Sequence, residues 1–470
     1  MAKNPTMRRI KRIHLIGIGG TGMSGIAEVL INLGYEVSGS DLHSSNVIER
    51  LKRLGARIYT EHAASNVATA DVVVVSSAIR SDNPELVEAA ARRIPTIPRA
   101  LMLAELMRFH YGIAVAGTHG KTTTTSLVAT ILSDANLDPT FVVGGILNHT
   151  SVSAQLGTGS YFVVEADESD ASFLHFSPLA SIVTNIDADH MGTYHGDIEQ
   201  LKKGFVNFLH RLPFYGLAVL CYDDPLVREI LPEIQRPVIT YGFDPLADVV
   251  IENFQQNGLK SSFILRKNGD PSYGQLLVNL PGRHNALNAT AAAILTYEAC
   301  EVSFKQISAS LEHFSGVGRR IQNYGEMNFA VGPVTVFDDY GHHPREITAT
   351  IKALKAAFPE KRLVLAFQPH RFTRTRDLAD DFVKAFALAD QVVLLPIYAA
   401  SETPISGITS EMLLAKLAYF KEMPSCSVAS VEELIALLPS VLQAGDLLLI
   451  EGAGSIGAVA PKLQALYKKQ

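Results

Sequence analysis

Three consecutive α/β domains are what the sequence predicts, and three observations carry that expectation. The chain has 470 residues, more than one core organises, and length alone gives about three domains. Apolar, β-branched runs alternate with helix-period segments in three separate blocks. Glycine-rich or acidic clusters close several of those runs, where an open parallel sheet places its ligand crevice.

The first block fills residues 1–106. Residues 12–18 read as a strand, 21–33 as a helix and 35–40 as a second strand. Residues 71–76, DVVVVS, make the continuous apolar run of a strand buried on both faces. The proline-punctuated IPTIPRA closes the block. Between the first strand and helix stands Gly17-Ile18-Gly19-Gly20-Thr21-Gly22, a G-x-G-x-x-G turn, and Asp41 follows the second strand. The arrangement is Rossmann-like: glycines for the turn, a helix N-terminus for a pyrophosphate, an acid for a ribose hydroxyl. Taken alone it points to NAD.

The second block, residues 107–318, has IAVAG, FVVGG, YFVVEAD and ASIVTNID as strands. The first runs into Gly117-Thr118-His119-Gly120-Lys121-Thr122, then Thr123 and a helix, the order of a P-loop ATPase-type domain. Such a loop aims backbone N–H groups at a phosphate, with Lys121 for the terminal phosphates and Thr122 for Mg²⁺. Val115 stands where the longer form of the motif has its first glycine. The bland alternative is a glycine turn capped by threonines. Against it, a lysine in a first helical turn opposes the macrodipole unless an anion is present, and four threonines form helix poorly. Glu165 and His190 close the next strands and could complete a Mg²⁺ shell; no second histidine or cysteine has zinc spacing nearby. ADVVIENF, KSSFILRK and GQLLVNL read as an added antiparallel section. A helix over 284–298 then carries His284 and Asn288 one turn apart. That pair suits a base or ribose, or equally an ordinary helix start.

The third block, residues 319–470, is again Rossmann-like, with strands VTVFDDY, RLVLAFQP, QVVLLPI and DLLLIEGAG. Asp338-Asp339-Tyr340-Gly341-His342-His343-Pro344 closes its first strand. QPHRFTRTRDLADDF sets His370, Arg371, Arg374 and Arg376 where a loop enters a helix. Arg371 and Arg374 suit a forked grip on a carboxylate, or else surface pairs with Asp377, Asp380 and Asp381.

Composition excludes other classes. A net charge of −6 without a basic block argues against nucleic acid, and no apolar run has the length of a membrane span. The three cysteines are far apart, which speaks against a disulfide framework and for the cytoplasm. The basic stretch 7–12 precedes an apolar run, but glycines interrupt that run too soon for a secretion signal.

Taken in order, GIGGTGMSGIA, SSAI, GTHGKTTTT, EADESD, NIDADHM, the H-N-x-x-N of residues 284–288, DDYGHHP and QPHRFTRT resemble the Mur ligases, over essentially the whole chain. The resemblance implies that Gly17, Gly19, Gly20, Thr21, Gly22, Asp41 and Ser77 take the UDP of a sugar nucleotide, not NAD. It implies ATP on residues 117–123 with His284, Asn288 and Arg319 or Arg320, and Mg²⁺ on Thr122, Glu165 and His190. Lys121, His190, Asp339 and His342 fall at the reacting groups, and Tyr340, His370, Arg371 and Arg374 at the amino acid. The implied reaction joins L-alanine to the lactyl carboxylate of UDP-N-acetylmuramate through an acyl phosphate, in a monomer or weak homodimer. A family member that joins a recycled tripeptide to the same sugar nucleotide is the nearest rival. An NAD-dependent oxidoreductase would leave GTHGKT and the arginines idle.

Overall fold

The computed structural model describes residues 7–43, 45–76, 79–108, 110–148, 152–189, 191–267, 269–270 and 273–467. Ser77 and His190 lie outside the described residues. The first sheet has five short strands, β1 (Arg12–Ile16), β2 (Glu36–Ser40), β3 (Arg57–Tyr59), β4 (Val72–Val75) and β5 (Thr96–Pro98). They run parallel in the order β3-β2-β1-β4-β5, with Ile13 opposite Val37 and Val72. β1 stops short of residue 18 because Gly17 turns to φ +78°, outside the extended region.

Ten strands form the second sheet: β6 (Tyr111–Ala116), β7 (Thr140–Leu147), β8 (Val152–Gln155), β9 (Tyr161–Glu165), β10 (Ala180–Val183), β11 (Leu217–Cys221), β12 (Val238–Gly242), β13 (Val249–Asn257), β14 (Lys260–Lys267) and β15 (Gln275–Val278). Their order is β15-β14-β13-β12-β11-β10-β6-β9-β7-β8. From β12 to β7 every pair is parallel, and β8 is antiparallel to β7. The ADVVIENF strand, expected to be antiparallel, pairs in parallel with β12 through Tyr241–Val249 and Gly242–Val250. The reversal comes one strand later, where only residues 258–259 separate β13 from β14, a link that only antiparallel neighbours admit. β10 is also shorter than expected, since residues 184–187 leave it to brace the loop after β6.

The third sheet has β16 (Gln322–Phe329), β17 (Gly332–Asp339), β18 (Leu363–Phe367), β19 (Gln391–Leu394), β20 (Ser425–Ser427) and β21 (Leu447–Glu451), in the order β16-β17-β21-β18-β19-β20. All its pairs are parallel except β16 with β17. Alternate residues of β18 feed different cores: Val364 and Ala366 one, Leu363, Leu365 and Phe367 the other. Helices cover both faces, which is why β18, β19 and β21 are buried at every position.

The chain forms two compact units. Met1–Asn253, Ser262–Val278 and Leu287–Ser315 make the first, and Phe254–Ser261, Asn279–Ala286 and Gly316–Gln470 the second. In the first unit one continuous core joins the first sheet to the second, from Ile13 and Ile26 to Val142 and Phe162.

The helix Lys121–Asp134 holds its threonines by burial, and among the described residues the Thr124 hydroxyl has no hydrogen-bond partner. Ten of its fourteen residues are buried, among them Thr122, Thr123, Thr124 and Thr125. Thr125 Oγ1 and Ser126 Oγ donate to the carbonyls of Lys121 and Thr122 at 2.8 and 2.7 Å, so these hydroxyls are satisfied inside the helix.

Candidate active site

In the first sheet, the turn after β1 is built on Ser40. Its carbonyl accepts the N–H groups of Gly17 and Ile18 at 2.8 and 3.1 Å. Asp41 is engaged within the same turn: Oδ2 accepts the Gly19 N–H at 2.9 Å and Oδ1 the His43 N–H at 3.0 Å. A Cβ on Gly19 would stand 2.8 Å from Asp41 Oδ2, so a larger residue there would displace the Asp41 carboxylate. Gly20 is the N-cap of the helix Thr21–Asn32 and offers it no side-chain cap.

The loop after β6 is left-handed at both glycines, with φ +125° at Gly117 and +82° at Gly120. Here β6 runs on through Val115 to Ala116, so a shorter turn suffices. Residues beyond β10 hold the loop from below. Thr118 N–H donates to the Asn185 carbonyl at 3.1 Å and His119 N–H to Asn185 Oδ1 at 2.8 Å. His119 Nε2 lies 3.0 Å from Asp187 Oδ2, and Asp187 N–H donates to Thr118 Oγ1 at 2.9 Å. Asn288 stands on the other side; a Cβ on Gly120 would come within 2.7 Å of its Oδ1.

The anion that justifies Lys121 in a first helical turn is the protein's own. Its Nζ donates to Glu168 Oε2 at 2.6 Å and to the Gly117 and Thr118 carbonyls at 2.7 and 3.3 Å, with Asp167 at 3.9 Å. Burial alone would lower this lysine's pKa, but the charges of Glu168 and Asp167 hold it above its ordinary value. Glu168 is 1% exposed, and among the described residues its Oε1 has no hydrogen-bond partner. Glu165 ends β9 and accepts the Gly144 N–H at 2.9 Å. Glu168 stands three residues beyond Glu165 in the same acidic run, and no motif sets it apart from its neighbours.

The second unit gathers another set. Asp339, at the end of β17, accepts N–H groups from Ile321 and Gly341 at 2.6 and 2.7 Å. Burial nevertheless pushes its carboxyl up to about 6. The guanidinium carbons of Arg319 and Arg320 lie 5.2 and 5.3 Å from the centre of the Tyr340 ring. Arg319, expected at the nucleotide, is turned to its own sheet: Nε donates to Asp338 at 3.0 Å and Nη2 to the Gly452 carbonyl at 2.6 Å. Arg320 Nη1 is 3.9 Å from Glu346. His284 opens the helix Arg283–Cys300, and burial pushes its imidazole down to about 4.

The His342 and His370 rings are 5.5 Å apart, and His370 stacks on Tyr398. Arg374 is buried, with Nη1 3.2 Å from His370 Nδ1. The surface acids do not claim these arginines, because Asp377, Asp380 and Asp381 pair with Arg376, Lys416 and Lys384. Arg371 takes φ +70°, and its buried Nε has no partner among the described residues. Glu451, which the motifs did not flag, ends β21 opposite Asp339, fully buried with both oxygens unpartnered among the described residues.

Three family descriptions match this chain in succession: Mur ligase family, catalytic domain, over residues 12–111; Mur ligase middle domain over 115–296; and Mur ligase, glutamate ligase domain, over 319–454. The chain belongs to the Mur ligase family. It is an ATP-dependent ligase of peptidoglycan-precursor synthesis, with the three α/β domains of that family. Among solved Mur ligase structures, it is similar to UDP-N-acetylmuramate-alanine ligase MurC from Thermotoga maritima, at 29% identity and TM-score 0.82 over 97% of this chain and 99% of that one. A murein peptide ligase from Psychrobacter arcticus matches at 25% identity and TM-score 0.72, over 97% and 98% of the two chains. The MurF ligase of Thermotoga maritima in complex with ADP, at 15% identity and TM-score 0.61 over 92% and 96%, shares the fold. Among the described residues no helix is long and apolar enough to cross a membrane.

Proposed function

We propose that this Mur ligase joins L-alanine to the lactyl carboxylate of UDP-N-acetylmuramate, with ATP cleaved to ADP and phosphate through an acyl phosphate. Residues 1–106 would take the UDP moiety, 107–318 the ATP and 319–470 the amino acid. The observation that carries the amino-acid assignment is Arg371 Nε, a buried cationic donor without a partner among the described residues, beside His370 and Arg374. A charged donor left unsatisfied on burial costs about 1–3 kcal/mol or more, which a bound carboxylate would remove.

The first step brings two anions together, so positive charge has to offset their repulsion. Lys121 supplies it, held over the loop by two carbonyls and Glu168. Thr122, Glu165 and His190 would hold Mg²⁺, whose contribution when bound is to neutralise phosphate charge. The surroundings fit a cation: Glu165, Asp167 and Glu168 act on one lysine, and Glu168 Oε1 is unpartnered among the described residues. We assign His284, Asn288, Arg319 and Arg320 to the nucleotide, with Arg319 required to loosen from Asp338. Asp339 and His342 are the titratable groups for the proton that the incoming ammonium must lose before it attacks.

ADP release with UDP-N-acetylmuramate, measured against L-alanine, glycine, L-serine and the tripeptide, tests the reading. L-alanine should stimulate release most strongly. No response to it would sink the proposal, and a response to tripeptide alone would move the chain to the recycling reaction.

A further inference from the structure

Residues 94–100, IPTIPRA, close the first block, and Arg99 among them is out of place as a structural arginine. It opens the helix Arg99–Met107, where a cation opposes the helix dipole, as Lys121 does. Its side chain crosses the first turn of the helix Thr21–Asn32. A Cβ on Gly22 would stand 1.8 Å from Arg99 Nη1 and 2.9 Å from Cζ. The third glycine of the G-x-G-x-x-G turn thus makes room for a guanidinium.

That guanidinium lines a cavity of about 160 Å³ within the first unit, shared with Gly22, Gly144, Glu165, Asp167 and Ser172. Among the described residues it makes no hydrogen bond and no ion pair, although its charge is felt at Asp167. Arginines that serve only the fold behave differently here. Arg236 donates to the carbonyls of Leu212, Gln235 and His210, and Arg362 to Asp446, Gln391 and the Val441 carbonyl. Each has an acceptor on all three guanidinium nitrogens, in keeping with the rule that partly buried polar groups find partners. Arg99 keeps its fork of donors for something else. Beside it the Thr21–Asn32 helix has a glycine, Gly20, at its N-cap, which brings no side chain to its first N–H groups.

We propose that Arg99 binds an oxyanion of the sugar-nucleotide substrate, a diphosphate or a carboxylate, in the cavity between Gly22 and Glu165. The inference rests on the ligase reading above and adds a positioning residue to it. A planar fork suits two oxygens of one phosphate or carboxylate, and its place, with Gly22 on one wall and Glu165 on another, lies on the way from the glycine turn to the phosphate-loop side of the unit.

Calorimetric titration of the full chain with UDP, UDP-N-acetylglucosamine and UDP-N-acetylmuramate tests it, in wild type, Arg99→Ala, Arg99→Gln and Arg99→Lys. Arg99→Ala and Arg99→Gln should weaken UDP-N-acetylmuramate binding about tenfold to hundredfold, with ATP affinity and thermal midpoint unchanged. Arg99→Lys should recover part of the loss. An equal loss for all three ligands identifies the diphosphate, and a loss confined to the muramate identifies the carboxylate. If Arg99→Gln folds and binds UDP-N-acetylmuramate like wild type, the Arg99 role falls while the ligase reading stands. If wild type binds none of the three, both fall together. Arg99→Gln keeps the test decisive should the alanine variant fail to fold.

Discussion

Asp339 and Glu85 are both buried carboxyls, and the same burial leaves them with opposite titrations. Burial alone would raise the Glu85 carboxyl, but its bonds with His14, Ser40 and Asn66 overcome that and hold it down at about 2. Asp339 has two backbone N–H groups and a distant Arg320, too little to offset burial, and stands at about 6. The signs follow. Glu85 stabilises the fold fully above its unfolded pKa of about 4.5 and loses that contribution as pH falls toward 2. Asp339, raised from 3.8, favours the fold at low pH and costs stability as pH climbs from 3.8 through about 6. In urea unfolding across pH 3 to 7, Glu85→Gln should lose stability relative to wild type most at neutral pH, on the order of 3 kcal/mol. Asp339→Asn should remove a decline of similar order between pH 4 and 6. Parallel pH profiles for wild type and both variants would refute the assignments.

At the scale of an element, the loop after β6 is the clearest case of local sequence fixing geometry. Gly120 is the left-handed N-cap of its helix, so Gly120→Ala adds strain of about 1–2 kcal/mol and brings a Cβ to 2.7 Å from Asn288 Oδ1. Gly117→Ala is harsher, with Thr184 Oγ1 at 2.1 Å and backbone atoms at 3.0 Å. ATP affinity by titration should fall at least about tenfold in Gly120→Ala and further in Gly117→Ala. Wild-type ATP affinity in Gly117→Ala would mean that the loop does not hold phosphate in this shape. Such glycines are legible in sequence because their cause is local: a strand must end and a helix must start within four residues. Strands with period-two or continuous apolar character were legible for the same reason. Glu168, Arg99 and Glu451 were not, because what distinguishes them is a partner, or its lack, brought from a distant segment. The tie of Arg319 to Asp338 is likewise a long-range contact that no local pattern announces. The short strands β3, β5, β8 and β20 carry three or four residues each, too few for periodicity to report.

For the molecule as a whole, the sequence divides the chain by pattern, while packing divides it by shared core. The first block reads as a domain of its own, yet its Thr21–Asn32 helix lies on β7 and β8 of the second sheet. The fit is close: a Cβ on Gly25 would stand 3.1 Å from both Ala154 Cβ and Val142 Cγ1. One core then runs through both sheets, and cutting it would expose Ile26, Val142 and their neighbours to water. The two sheets should therefore unfold as one cooperative body. The chain has no tryptophan, so a single introduced indole reports locally. Tyr35→Trp would watch the first sheet and Tyr222→Trp the second, and their urea midpoints should coincide. Adding Gly25→Val to either should lower both midpoints together, as overpacking costs about 1–3 kcal/mol of stability. ATP should raise both midpoints as well, even though its loop lies in the second sheet, because a ligand stabilises whatever unfolds with its site. Separate midpoints, with only the Tyr222→Trp signal responding to ATP, would show that the core contact between the two sheets is not enough to couple them.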